Sequence, residues 1–200
     1  EWENKPSNGG VTVMVDDIPY RANINGMNAL HKGVELDFSI RLSPKFTFEA
    51  LLSAGNWIWT SSDTVRFLDD NNNPVTDDFG NEIIANFDAE GVHVGDAAQH
   101  QKGFSLRYEP NRDVYIKIRG TKFSRYFADF DPLSLNGSNA GRESWRIPTY
   151  DLIDLHAGYT YRLSARNKVD FKLSILNLLN EIYISDAQNN DPYNSNYQDF

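Results

Sequence analysis

The chain has 200 residues, 40% hydrophobic and 13% aromatic, with no cysteine and a formal net charge of −9. That charge argues against nucleic acid, which calls for a basic face, and the lack of cysteine excludes a disulfide framework and thiol chemistry. No stretch approaches the roughly 18 consecutive apolar residues of a spanning helix, so a membrane crossing would have to be made by strands.

In chain order, Val11 to Val15 and Tyr20 to Ile24 are short strand candidates around Asp16-Asp17-Ile18-Pro19. Val34-Glu35-Leu36-Asp37-Phe38-Ser39-Ile40-Arg41-Leu42 then alternates apolar and polar residues without error. A period of two predicts a strand, over about 32–42. After Ser43-Pro44-Lys45 its partner runs over about 46–59. A third run, about 98–108, ends in Phe104-Ser105-Leu106-Arg107-Tyr108 and turns through Glu109 to Asp113 into Val114-Tyr115-Ile116-Lys117-Ile118-Arg119. Ile153 to Tyr161 follows, and Arg162 to Lys168 lead into Val169 to Ile175, after which alternation fails and an Asn-rich tail begins.

The polar positions of these runs carry full charges, which points to lipid on one side of a sheet and a watery interior on the other. The connections alternate as well. Those at 43–45, 109–113 and 162–168 are short, whereas 60–97, 126–148 and the tail after Asn180 are long. Loops beyond about 12–15 residues are uncommon and usually functional, and an outer-membrane barrel has tight turns on one side and extended loops on the other. The expectation is an all-β, antiparallel, up-and-down transmembrane β-barrel segment, about six to eight strands of a larger barrel, with 60–97 and 126–148 as extracellular loops. Tyr108, Tyr159 and Tyr161 would sit in an aromatic belt beside the short turns, and Trp57 and Trp59 would approach the outer interface. The competing expectation is a soluble antiparallel β-sandwich.

Four segments resemble the C-terminal barrel region of TonB-dependent outer-membrane receptors, particularly the SusC-like type of Bacteroidetes. They are Asn28 to Leu36 with its His31-Lys32-Gly33-Val34-Glu35-Leu36 core, Val94 to Gln99, Arg146 to Tyr159, and Asn177-Leu178-Leu179-Asn180-Glu181-Ile182-Tyr183-Ile184. The resemblance implies a barrel of about 22 strands closed by a plug domain. It also implies energised nutrient uptake through TonB, with outer-membrane lipid, the rest of the barrel and plug, and a surface lipoprotein of SusD type as partners. On that reading residues 1–200 are a partial barrel domain without plug or final strand. The cargo would be an oligosaccharide, peptide, siderophore or similar nutrient, and no enzymatic step is expected. A non-transporting structural or adhesive barrel is the alternative within the membrane class.

Facing assigns Glu35, Asp37, Arg41, Glu49, Arg107, Lys117, Arg119, Asp154 and His156 to the lumen side, with mixed signs suited to a wet, protein-filled interior. For ligand contact the aromatics, carboxylates and amides Trp57, Trp59, Asp129, Phe130, Asp131 and Asn136 are the candidates, since flat faces stack while Asp and Asn fix hydroxyls. No cofactor is expected, although Asp69 to Asp78 carries the oxygen ligands that calcium prefers and is weighed against a solvated turn. It fails the EF-hand spacing, with Pro74 where Gly is needed and Gly80 at position twelve. His31, His93, His100 and His156 are too dispersed for a metal site, and no nucleophile elbow surrounds Ser144 or Ser164.

Overall fold

The computed structural model describes residues 2–5, 11–15, 18–23, 27–69, 71 and 73–189, with side chains between Met27 and Gln188. Ile24, the Asp16-Asp17 link, Asp70, Asn72 and the end of the tail lie outside the described residues. In chain order the strands are β1 (Trp2–Lys5), β2 (Val11–Val15), β3 (Ile18–Asn23), β4 (Met27–Ser43), β5 (Phe46–Trp59), β6 (Ser62–Leu68) and β7 (Ile84–Asp88). They continue as β8 (His100–Asn111), β9 (Val114–Ser124), β10 (Tyr126–Phe127), β11 (Asp129–Phe130), β12 (Arg146–Ile147), β13 (Tyr150–Arg162), β14 (Lys168–Ile175) and β15 (Gln188–Asn189). Two single 3₁₀ turns, Pro132–Ser134 and Gly137–Asn139, complete the set.

The main sheet is an antiparallel meander in the order β1-β4-β5-β8-β9-β13-β14, and among the described residues it is open rather than closed on itself. Short turns join its hairpins. Pro44-Lys45 links β4 to β5, and Arg112-Asp113 links β8 to β9, where the Asn111 side chain accepts from the Asp113 N–H at 2.9 Å. The β13–β14 turn is closed by the Leu163 N–H donating to the Asn167 carbonyl at 3.0 Å. The strands outrun the sequence pattern. β9 extends through Gly120-Thr121-Lys122-Phe123, where hydropathy no longer alternates, because the backbone ladder to β8 and β13 does not require apolar side chains.

Register sorts the two faces of this sheet. Residues directly opposite one another share a face, and the rung Ile40–Phe48–Leu106–Ile118–Leu155–Ile175 is apolar across six strands. Its neighbours are Phe38–Ala50–Phe104–Gly120–Ile153 on one side and Phe46–Tyr108–Ile116–Ala157–Leu173 on the other. A Cβ on Gly120 would meet the Phe104 ring at 2.6 Å, so glycine there lets that ring lie flat across the rung. Among the described residues nothing covers this face: Val34, Leu36, Phe38, Phe104, Leu106, Ile118 and Phe171 are 37–60% exposed, while Phe48, Ile153 and Leu155 are half-buried between their neighbours in the sheet. Tyr108, Tyr159 and Tyr161 lie on it at the short-turn end, with Phe46 stacked on Tyr108 at 4.7 Å.

The buried core lies elsewhere, inside the long connections. The 60–97 link is a folded unit, not a plain loop: β6 and β7 join β2 and β3 in a second, four-stranded sheet. Its Val65, Phe67 and Phe87 pack with Val92, Phe130 and Leu135 against Met27, Ala29 and Trp59 at the ends of β4 and β5. A smaller cluster of Ala98, Tyr126, Ile147 and Tyr150 ties the 126–148 link to the sheet. These connections form a cap at the end of the sheet opposite the short turns.

Candidate functional site

All nine side chains assigned to the lumen side fall on one face of the main sheet, opposite the apolar rungs. Ser39–Glu49–Ser105–Arg119–Asp154 and Arg41–Thr47–Arg107–Lys117–His156–Ser174 are successive rungs of that face, and Glu35 and Asp37 continue it along β4. Mixed charge lets neighbours pair. Lys117 Nζ reaches Glu49 Oε2 at 2.6 Å, and the Ser105 hydroxyl donates to the same oxygen at 2.6 Å. Arg107 meets Glu109 at 3.0 Å while its guanidinium lies 3.9 Å over the Tyr115 ring. That ring occupies the space where Gly158 lacks a side chain. His156 and Ser174 are 3.0 Å apart, and Asp154 accepts from the Asn177 N–H at 2.9 Å. Between Asp37, Glu49, Leu51, Gly103, Ser105 and Arg119 the face carries an open depression of about 370 Å³. Its chemistry is polar and reversible: hydrogen bonds and ion pairs to water or to another polar surface.

The six ligand-contact candidates gather at the cap, where most of them serve packing. Trp59 and Phe130 are buried, meeting edge to face at 6.4 Å inside the core. Asp131 accepts from the Leu133 N–H at 2.9 Å and caps the first 3₁₀ turn, and burial raises its carboxyl above the usual range against the opposing pull of that hydrogen bond. Asn136 is exposed and donates to the Leu133 carbonyl at 2.6 Å. Asp129 belongs to β11, which pairs in parallel with β15. Trp57 and Trp59 stand at the cap end of β5. Register, however, puts both on the charged face with His31, not on the apolar face where an interfacial belt would lie. Trp57 is half-buried and stacks on His31 at 5.3 Å, so of the six it presents the aromatic surface nearest the charged face.

Two arrangements at the cap bring together side chains to which the sequence pattern assigns no role, although Gln99 itself closes the Val94 to Gln99 segment. Gln99 is fully buried just before β8 begins, and its amide accepts from Trp57 N–H at 3.1 Å and donates to Trp57 C=O at 2.9 Å. The side chain thus replaces a backbone rung that β8 does not supply. His93 joins Glu143 at 2.5 Å and Arg125 at 2.6 Å while stacking on Phe127 at 4.2 Å. Arg125 holds a left-handed backbone, φ 53°, and also donates to Asn56 at 2.5 Å. The second group is not marked by spacing, since Asn56, His93, Arg125 with Phe127, and Glu143 come from four separate segments.

The acidic loop resolves into two copies of one turn. Asp69 accepts from the Asn71 and Asn73 N–H groups at 2.9 and 2.8 Å; Asp77 accepts from Phe79 and Asn81 at 2.9 and 2.8 Å. Hydrogen bonds from Asn73 and from Asn81 hold the two carboxyls below their usual range. Each carboxylate serves its own turn, and among the described residues no three His, Asp or Glu side chains converge as metal ligands. No family model matches the chain, and no curated protein or solved structure is significantly similar to it.

Proposed function

We propose that this chain is wall and loops of an outer-membrane β-barrel transporter of the TonB-dependent receptor kind, admitting a nutrient without covalent chemistry. The observation that carries the reading is the uncovered apolar rung running across six strands, backed by a face of charges. Large side chains exposed in a contiguous sheet face need a partner, and hydrocarbon is the partner that accepts them over this width.

Dimensions agree with that assignment. Ten residues separate Leu42 from Lys32 on β4, and ten separate Tyr161 from Asp151 on β13. At about 3.3 Å per residue and a tilt near 40°, each stretch rises about 25 Å, the height of the apolar band of such barrels. From β4 to β14 the strands of the meander, 8 residues in β14 to 17 in β4, exceed the five or six usual in globular sheets. In this arrangement the apolar face meets lipid, the charged face meets the aqueous interior or its filling, and the cap stands over the mouth. The four motif segments noted in the sequence favour transport over a purely structural barrel.

The first test is solubility of the full protein. Extraction should require detergent, and removing the detergent should aggregate it; a monodisperse monomer in plain buffer would overturn the membrane reading. The transport half is tested by uptake in cells with and without an energised TonB partner. Equal uptake in both would leave only the structural barrel.

A further inference from the structure

The apolar face ends differently at its two borders. At the short-turn end the border is aromatic, with Phe46, Tyr108, Tyr159 and Tyr161. At the cap end it is basic. Lys102 stands directly opposite Lys122, one rung beyond Phe104 and Gly120 on the same face. Asp151 completes the rung and meets Lys122 Nζ at 3.0 Å. On its other side Lys102 faces the uncharged Leu52, and among the described residues it forms no ion pair. Lys32, opposite Asn56, adds a third exposed cation to the border. Among the described residues these three lysines share one ion-paired acid, Asp151, in a protein whose net charge is −9. Like charges directly across a sheet destabilise it, so Lys102 opposite Lys122 is an unfavourable pair unless an anion lies between them.

We propose that this border binds the phosphate group of an anionic membrane amphiphile, with its acyl chains along Leu36, Leu52 and Phe104. The inference rests on the membrane-wall reading above and adds a partner to it. Register supplies the charge complementarity: ammonium groups sit where hydrocarbon gives way to headgroups, on stems long enough to reach outward along the apolar surface. Basic clusters at this depth attract anionic lipid, each lysine adding severalfold in affinity. The two borders would therefore be read by different parts of the bilayer, aromatic rings at one interface and phosphate at the other.

The experiment uses the full protein in detergent with equimolar phosphatidylglycerol and phosphatidylcholine, bound lipid being counted by native mass spectrometry. Wild type should retain phosphatidylglycerol preferentially, and the preference should fall about fivefold for each of Lys102→Gln and Lys122→Gln. Lys172→Gln, a charge-matched change on the opposite face, should leave it unaltered. Equal retention of the two lipids by wild type, or an unchanged preference in the double variant, overturns the proposal while leaving the wall reading intact. Displacement of the lipid by excess inorganic phosphate would instead identify a free-anion site and overturn the lipid assignment. A wild type that binds neither lipid and needs no detergent defeats both readings.

Discussion

Single residues at the cap carry work that their neighbours in sequence do not announce. Gln99 bridges both backbone groups of Trp57; Gln99→Leu keeps the volume and leaves the Trp57 N–H without its acceptor, while the Trp57 C=O still accepts from the Val94 N–H at 3.0 Å. An unsatisfied buried group costs about 1–3 kcal/mol, and denaturant unfolding in detergent should register a loss of that order. Asn177 shows the opposite case, a residue marked by a motif whose reason is structural. Its φ is 50°, its side chain accepts from the Glu181 N–H at 2.8 Å, and it donates to the Glu181 carbonyl at 2.9 Å. Asn tolerates that left-handed conformation better than other side-chain-bearing residues, so the Asn177-Leu178-Leu179-Asn180 motif ends β14 by geometry. Asn177→Ala removes both the clasp and the tolerated conformation; a loss of about 1–3 kcal/mol is expected, and Asn177→Gly should recover the backbone part alone.

At the scale of elements the long connections behave as folded parts. Asp69 to Asn73 and Asp77 to Asn81 repeat one turn eight residues apart, each carboxylate holding two backbone N–H groups. Because hydrogen bonds lower these two folded-state pKa values, the stabilisation is present above the unfolded carboxyl range near 4 and is lost as pH falls through the lowered folded values. Asp131 has the reverse sign. Burial raises its folded pKa, so its charged form disfavours folding and the penalty is relieved as pH falls through the raised value. Hydrogen-exchange protection, corrected for intrinsic rates, should therefore decline on acidification for 69–81 while Asn71, Asn73, Phe79 and Asn81 lose their acceptors. Residues 131–135 should hold or gain over the same interval. A parallel decline in both segments would contradict the assignment. The sequence predicts only a link over 60–97, because β6 and β7 are short and find their partners in each other and in distant β3. Such pairing leaves no local trace.

For the whole molecule the decisive contrast is between faces. Phe38→Arg or Ile118→Arg, each in the middle of the apolar band, should destabilise by about 2–4 kcal/mol in a bilayer. Asp37→Asn, adjacent in sequence to Phe38 and on the other face, should change stability by less than about 0.5 kcal/mol. Folding titrations in liposomes would measure both, and equal tolerance would remove the basis for a lipid-facing wall. The six-strand meander, its short turns and the common facing of Glu35 through His156 were legible because a strict period of two survives any change of partner. The sites of Trp59 and Phe130 were not. An aromatic in a loop reads the same whether it grips a ligand or fills a core, and their mutual burial depends on chain segments some seventy residues apart. Sequence alone determined which residues share a face, since alternation is imposed by each strand's own backbone. Only the tertiary structure decided that the hydrophobic core sits in the cap and that Lys102 meets Lys122. Those outcomes depend on register and on packing between distant segments, which no local pattern encodes.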